Sequence, residues 1–361
     1  MKMRGILAKA LTGERLSAEE AVLLLKESDL LSLAYAGNAV CQAKHPEGFA
    51  TFQIDRNINY TNICVNQCSF CAFYRTKEHQ DAYVLSHEEI EEKVDETLRL
   101  SGTQVMLQGG INPDLGLAYY RNMFSRIKKR FRVRIHSLSP PEIVHIADSE
   151  GMSVSGVLRE LVSAGLDSLP GGGAEILVDR VRQRISPRKI SSERWLEVME
   201  KAHALGLKTT ATMMMGTVET FEERVEHMER IRELQDRTGG FLSFIPWTFQ
   251  PGNTKLGGRP VSSVEYLKTL SVSRLFLDNV ENVQGSWVTQ GKDIGQVCLA
   301  FGANDLGSTM IEENVVRAAG VSHRMNVEEM VELIRGAGRI PAQRDTEFRI
   351  LRRYETNTET G

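Results

Sequence analysis

The sequence predicts an α/β protein built as a parallel (β/α)8 TIM-type barrel, and three observations carry that prediction. Short apolar or β-branched runs alternate with amphipathic helical stripes over about 250 residues. Unusual residue types gather just after those runs, where a parallel α/β sheet presents its strand carboxyl ends. The length, 361 residues, suits one large barrel with extensions at both ends. A doubly wound open sheet is the alternative topology.

Residues 1–50 read as a helical lead-in, opened by the capping box Ser17-x-x-Glu20 ahead of the apolar run Val22 to Leu25. From Thr51 the strand–loop–helix pattern begins, and the barrel is expected over 51–306. Strands are expected at 58–61, 104–107, 133–137, 167–169, 208–213, 241–246, 280–287 and 296–301. Between them, Ser86-x-x-Glu89 caps a helix with Ile90, Val94 and Leu98 on one face. Trp195, Val198, Met199 and Ala202 form a second stripe; Phe221, Val225, Met228 and Ile231 form a third. These stripes are core-facing and carry no chemistry. Residues 307–361 read as a helical extension followed by a polar tail from Ala342.

Composition removes several function classes. A net charge of −3, from 44 basic and 47 acidic residues, does not suit nucleic acid as the main partner. The basic runs Arg126–Arg134 and Arg180–Lys189 read as solvated helix faces. No apolar run approaches the roughly 18 residues of a membrane span, and the N-terminus lacks a signal-peptide pattern, so a cytoplasmic protein is expected. Five cysteines, three of them clustered, fit a reducing compartment and a metal site, not a disulfide framework.

Those three are Cys64, Cys68 and Cys71, within the stretch NINYTNICVNQCSFCAFYR at 57–75. Thiolates spaced this closely converge only if the backbone loops around one centre. Ordinary electron-transfer clusters take four cysteines, so three leave one iron open for chemistry. A structural zinc site with His79 as fourth ligand is the alternative. Phe70, between the last two cysteines, begins an apolar wall that would shield a cluster from water. After the second expected strand, Gln108-Gly109-Gly110 brings backbone close to a ligand or simply turns the chain. Glu175, after Gly171-Gly172-Gly173, is either a ligand for hydroxyls or a first-turn helix carboxylate.

The octapeptide Cys64-Val65-Asn66-Gln67-Cys68-Ser69-Phe70-Cys71 resembles the CxxxCxΦC signature of radical S-adenosylmethionine enzymes. SLPGGGAEIL, PWTFQPGNTKLGG, GANDLGSTMIEENVV and PAQRDT resemble the branch of that superfamily that works on futalosine derivatives in menaquinone assembly. The resemblance covers about residues 50–346. It implies a 4Fe–4S cluster on the three cysteines, with S-adenosylmethionine on the open iron. Phe70, Gln108, Gly109, Gly110, Ser137 and Glu175 then become cofactor-binding candidates, although the acid that many relatives carry after Gly-Gly is missing here.

The phrase Phe244 to Thr254 favours cyclisation of dehypoxanthine futalosine, begun by removal of the ribose C4′ hydrogen, over the chemistry of aminofutalosine synthases. That reaction asks for a base, assigned to His136, and for partners to the sugar hydroxyls, assigned to Asn304 and to Asp305, a second catalytic candidate. Arg56 with the amides of Gly172 and Gly173 are the candidates for holding the benzoate. An electron donor such as flavodoxin or ferredoxin is implied as partner. A zinc-stabilised or electron-transfer binding protein is the non-enzyme alternative.

Overall fold

The computed structural model describes residues 2–354. Eleven strands are present: β1 Phe49–Gln53, β2 Asp55–Ile58, β3 Gln104–Leu107, β4 Arg134–Ser137, β5 Ser168–Leu169 and β6 Lys208–Met215. They are followed by β7 Phe241–Thr248, β8 Asn282–Val283, β9 Asp305–Ser308, β10 Ile340–Arg344 and β11 Ile350–Arg353. β2 to β8 form one parallel sheet in chain order. β9 fills the gap between its edges. Gly285 donates its N–H to the Asp305 carbonyl at 2.8 Å, and Thr51 pairs with Asp305 on the far side. Because β1 runs into β2 through Ile54 alone, this pairing brings the sheet round into the expected barrel.

Two strands lie elsewhere than expected. The first ends at Ile58 instead of beginning there, so Asn59 to Thr61 already belong to the loop above it. The last is not at 296–301: that apolar run lies in and just beyond the helix Lys292–Cys298, and the strand comes later, at 305–308. Cys298 and Leu299 are buried there against Tyr266 and Trp287. A short apolar run does not reveal whether it is a strand or a buried helix. The error matters for function, because Asn304 and Asp305 open the last strand at the foot of the barrel.

Three helices, Lys2–Leu11, Ala18–Glu27 and Leu30–Lys44, form the lead-in, with the Ser17–Glu20 capping box in place. They pack on the outer helices Phe221–Thr238 and Ser263–Phe276. Arg232, lying on the Phe276 ring, joins the two layers by donating to the Leu16 carbonyl at 2.9 Å. The expected polar tail is instead β10 and β11 as far as Arg353; its last residues, 355–361, lie outside the described part. No described helix is long and apolar enough to cross a membrane.

β10 runs parallel to β1 and carries Arg344 under the barrel. The Arg344 guanidinium grips Asp305 through two bonds, 2.5 and 2.9 Å, and donates to Gln53 Oε1 at 2.9 Å. Both partners are almost fully buried, at 5 % and 0 % side-chain exposure. Removing one member of such a pair strands the other charge. Arg344→Met is expected to lower stability by about 3–5 kcal/mol, read as an earlier midpoint in urea unfolding, whereas the exposed Arg99 to Asp95 pair should be removable at little cost.

Candidate active site

Past Ile58 the chain turns over the top of the barrel and displays the three cysteines. The loop is tied down along its length. Cys64 N–H bonds the Arg75 carbonyl at 3.1 Å, Val65 N–H the Ile111 carbonyl at 2.9 Å, and Ser69 N–H the Ile185 carbonyl at 2.9 Å. Arg75 Nη1 gathers the carbonyls of Ala72, Phe73 and Tyr74. Held this way, Cys64, Cys68 and Cys71 line one wall of a cleft enclosing about 880 Å3, part of it open to solvent.

Burial pushes the Cys68 thiol up to about 12 and raises Cys71 as well. Thiols so placed become ligands only when bound cations offset the cost of burying the thiolate charge. Among the described residues, no three Cys, His, Asp or Glu side chains are placed to hold a single metal ion. His79 is exposed, its Nδ1 3.8 Å from Asp81. Three thiols around one opening fit the corners of a cluster.

Gln108, Gly109 and Gly110 line the cleft beside the thiols. A Cβ on Gly110 would stand 2.2 Å from the Ile63 carbonyl oxygen and 2.9 Å from Cys64 Cβ. That glycine therefore exists to let the cysteine loop settle on the barrel. On the opposite side are Gly172 and Gly173, then Glu175, which adopts φ +43°. Glu175 Oε1 accepts from Lys189 Nζ at 2.9 Å, while Oε2, 3.9 Å from the Arg182 guanidinium, is buried without a hydrogen-bond partner. An orphaned carboxylate oxygen on a cleft wall awaits a donor, and the hydroxyls of a ribose supply one. Burial pulls the Lys189 pKa down, yet Cys68 and Glu175 outweigh it and hold the ammonium charged. Its Nζ also lies 5.1 Å from the centre of the Phe70 ring.

Glu142 is the acid the sequence did not point to. It lines the cleft from the first turn of the helix Pro140–Glu150 that follows β4 and accepts from Tyr60 Oη, Ser139 Oγ and the Gly109 N–H. Burial raises its pKa to about 7. The signal was present in Ser139-Pro140-Pro141-Glu142, a helix start with an acid at its third position. Lys189 and Arg182 were hidden in the run assigned to a solvated face. Arg182 is instead 2 % exposed and bonds the carbonyls of Gly173, Ala174 and Ile190.

Several candidates stand elsewhere. Ser137 spends its hydroxyl on the Leu107 carbonyl at 2.7 Å, and Ser139 occupies the cleft instead. Arg56 is paired with Glu96 at 2.6 Å and with the Lys93 carbonyl, so it holds the helix His87–Arg99 and does not reach the cleft. Asn304 binds Arg274 and the Val283 N–H, and Asp305 binds Arg344, both as structural groups at the barrel foot. His136 faces a second, deeper chamber of about 610 Å3, with its Nδ1 2.7 Å from Ser168 Oγ. Burial, helped by Arg344, drives its pKa to about 3, so it is a neutral imidazole and a weak base. The true end of the last strand brings Asn314 to Asn59 at 3.2 Å, on the rim of the cleft.

A parallel barrel with three thiols at its mouth and a glycine-walled cleft beside them, holding a few buried charged groups, defines a radical S-adenosylmethionine enzyme. Residues 58–231 match the Radical SAM superfamily, and residues 238–357 match the CofH/MqnC C-terminal region. Two relatives carry the name cyclic dehypoxanthine futalosine synthase. The one from Halalkalibacterium halodurans is 48 % identical over 98 % of this chain and 96 % of its own. The other, from Streptomyces coelicolor, is 49 % identical over 97 % of this chain and 89 % of its own. A 5-amino-6-(D-ribitylamino)uracil–L-tyrosine 4-hydroxyphenyl transferase from Methanosarcina barkeri is 45 % identical over 84 % of this chain and 82 % of its own. Among solved structures, the FeFe-hydrogenase maturase HydG from Carboxydothermus hydrogenoformans shares the fold, with a TM-score of 0.76 at 16 % identity over 96 % of this chain and 80 % of that one. The chain belongs to the radical S-adenosylmethionine superfamily and, within it, to the CofH/MqnC family.

Gly110→Ala is expected to prevent the cysteine loop from seating. After anaerobic reconstitution the variant should hold well under the roughly four irons per chain of a complete cluster, with its far-UV circular dichroism unchanged.

Proposed function

We propose that the chain cyclises dehypoxanthine futalosine to cyclic dehypoxanthine futalosine, a step of menaquinone assembly. The observation that carries this reading is that likeness to the synthases of that name spans nearly the whole chain, cluster half and C-terminal region alike. When bound at the three thiols, a 4Fe–4S cluster with S-adenosylmethionine supplies a 5′-deoxyadenosyl radical. Everything else falls to side chains. Cys64, Cys68 and Cys71, which line the cleft, would hold the cluster and leave one iron free for the cofactor. Glu175 accepts from the cofactor's ribose through its unpartnered Oε2, and Lys189 sets a positive charge beside it for the methionyl carboxylate. Gln108, Gly109 and Gly110, which line the cleft, would let the cofactor approach backbone closely. The Phe70 ring excludes water there.

In this reading the substrate's C4′ hydrogen would pass to the deoxyadenosyl radical, the sugar radical would add to the benzoate ring, and closure would end with one proton lost to a base and one electron to an external one-electron acceptor. Gly172 and Gly173, which line the cleft, offer backbone to the benzoate. Glu142 receives the proton. It is a carboxyl in the cleft with a pKa near the working pH, whereas His136 is too weak a base and a layer too deep. Reduction of the cluster draws on an external one-electron donor such as flavodoxin or ferredoxin.

An anaerobic assay with reductant, S-adenosylmethionine and dehypoxanthine futalosine tests the reading. Free 5′-deoxyadenosine should appear together with a product lighter by one H2. Incorporation of the adenosyl fragment into the product, or no consumption of this substrate by a cluster-loaded chain, would sink it. A base must be deprotonated, so turnover should rise as pH passes through about 7. Glu142→Gln should abolish that limb and slow turnover by about 100-fold. His136→Gln should leave the limb in place.

A further inference from the structure

Beneath the cleft, inside the barrel, lies the chamber of about 610 Å3 that His136 faces. The two spaces are stacked along the same inward faces of the strands. On β3, Gln104 and Met106 line the chamber and Gln108 lines the cleft. On β7, Ile245 belongs to the chamber and Trp247 to the cleft; on β2, Asp55 belongs to the chamber and Asn59 to the cleft. Residues two apart on a strand share a face and stand about 7 Å from each other. A ligand made of two linked rings is long enough to occupy both spaces at once.

Asp55 is the group that the chamber leaves unfinished. It is 3 % exposed. Its Oδ2 accepts from Gln53 Nε2 at 2.9 Å and from Gln104 Nε2 at 2.8 Å, whereas Oδ1 is buried with no hydrogen-bond partner. Among the described residues, three carboxylates keep a buried oxygen in that state. Asp278 is only half-buried, on the outer surface beside Arg15. The other two line the stacked spaces, Glu175 the cleft and Asp55 the chamber. Burial raises the Asp55 pKa, with Ser308, Gln104 and Arg344 pulling against it, and none of them bonds Oδ1. A buried acceptor kept open in this way awaits a donor from outside the chain.

The lining decides which chemistry fits. Arg344 offers no free positive charge, because Asp305 takes its guanidinium and the Phe348 ring lies 3.8 Å from it. A benzoate brought to Asp55 would make two carboxyls share one site, and one of them would have to hold a proton. A hydroxyl both donates and accepts, so it suits Oδ1 in either protonation state.

We propose that Asp55 binds the hydroxyl at C1 of the substrate's sugar and thereby selects the base-free sugar over the nucleoside. The inference rests on the reading that dehypoxanthine futalosine is the substrate, and deepens it. The sugar occupies the chamber with its C4′ edge toward the cleft. C1, on the far side of the ring oxygen, then faces the foot of β2, where Asp55 is the first residue. The benzoate stays above, beside Gly172 and Gly173. A base joined to C1 through nitrogen has no hydrogen at the junction, so Oδ1 would lose its donor. A site built to bond a hydroxyl rejects an analogue without it far more strongly than an apolar pocket rejects a missing methylene.

The test measures binding by calorimetry to the cluster-loaded enzyme with S-adenosylmethionine and no reductant, so that nothing turns over. Dehypoxanthine futalosine should bind about 10-fold more tightly than its 1-deoxy analogue. Asp55→Ala should bring the two ligands within about 2-fold of each other, with iron content and far-UV circular dichroism unchanged. Asp55→Asn keeps an oxygen for Gln53 and Gln104, so it should fold even where Ala does not, and it should narrow the gap as well. Equal binding of the two ligands by the wild type would overturn the proposal, since water would then be what satisfies Oδ1. A gap that persists in the variants would overturn it too, because another group would be reading C1. If the cluster-loaded wild type bound neither ligand, the functional reading beneath would fall with it, a result distinct from the other two.

Discussion

The Arg344–Asp305 pair fixes the barrel. β5 and β8 are two residues long, so backbone pairing alone leaves the ring of strands weakly joined at its seam. Asp305 opens the strand that fills the seam, Gln53 belongs to the strand beside it, and Arg344 arrives from β10 to hold both. Thr346 then donates to Gln104 at 2.7 Å and continues the plug under β3. A charge pair buried this fully is worth having only with its hydrogen bonds complete, and here they are. With these side chains packed under the foot, the cysteine cleft lies at the other end.

At that other end the organising quantity is charge. Two thiols kept neutral by burial, the Glu175 carboxylate and a second carboxyl near neutrality stand with the buried Lys189 ammonium and Arg182 guanidinium. Ionising the thiols as ligands would add negative charge that the protein alone does not balance at low dielectric. Iron at the thiols would offset that charge, and a cofactor's hydroxyls would supply donors to Glu175. Loading the cofactors and settling the cleft's electrostatics are therefore one event.

Much of this was legible in the chain. The cysteine spacing, the glycines after β3 and β5, and the Phe70 wall all appear where their residue types placed them, because each answers a local demand. What escaped was non-local. Asn304 and Asp305 were assigned to the wrong end of a strand because Gln296 to Phe301 reads equally well as strand or buried helix. Arg56 was free in sequence and is committed to Glu96 in space. The run Arg180–Lys189 has the composition of a solvated face, and only folding shows Arg182 and Lys189 turned inward. Glu142 gains its raised pKa from burial, a property that no single position carries.

The two-sided exposure of Cys71 also bears on how the protein survives air. A cluster whose every sulfur faced inward would be shielded by substrate and barrel together. Here Cys71 borders a solvent-facing hollow as well as the cleft, so dioxygen would have a route to iron held there that an occupied cleft does not block. A body covering that hollow would shield such iron, and the enzyme would be most fragile standing alone.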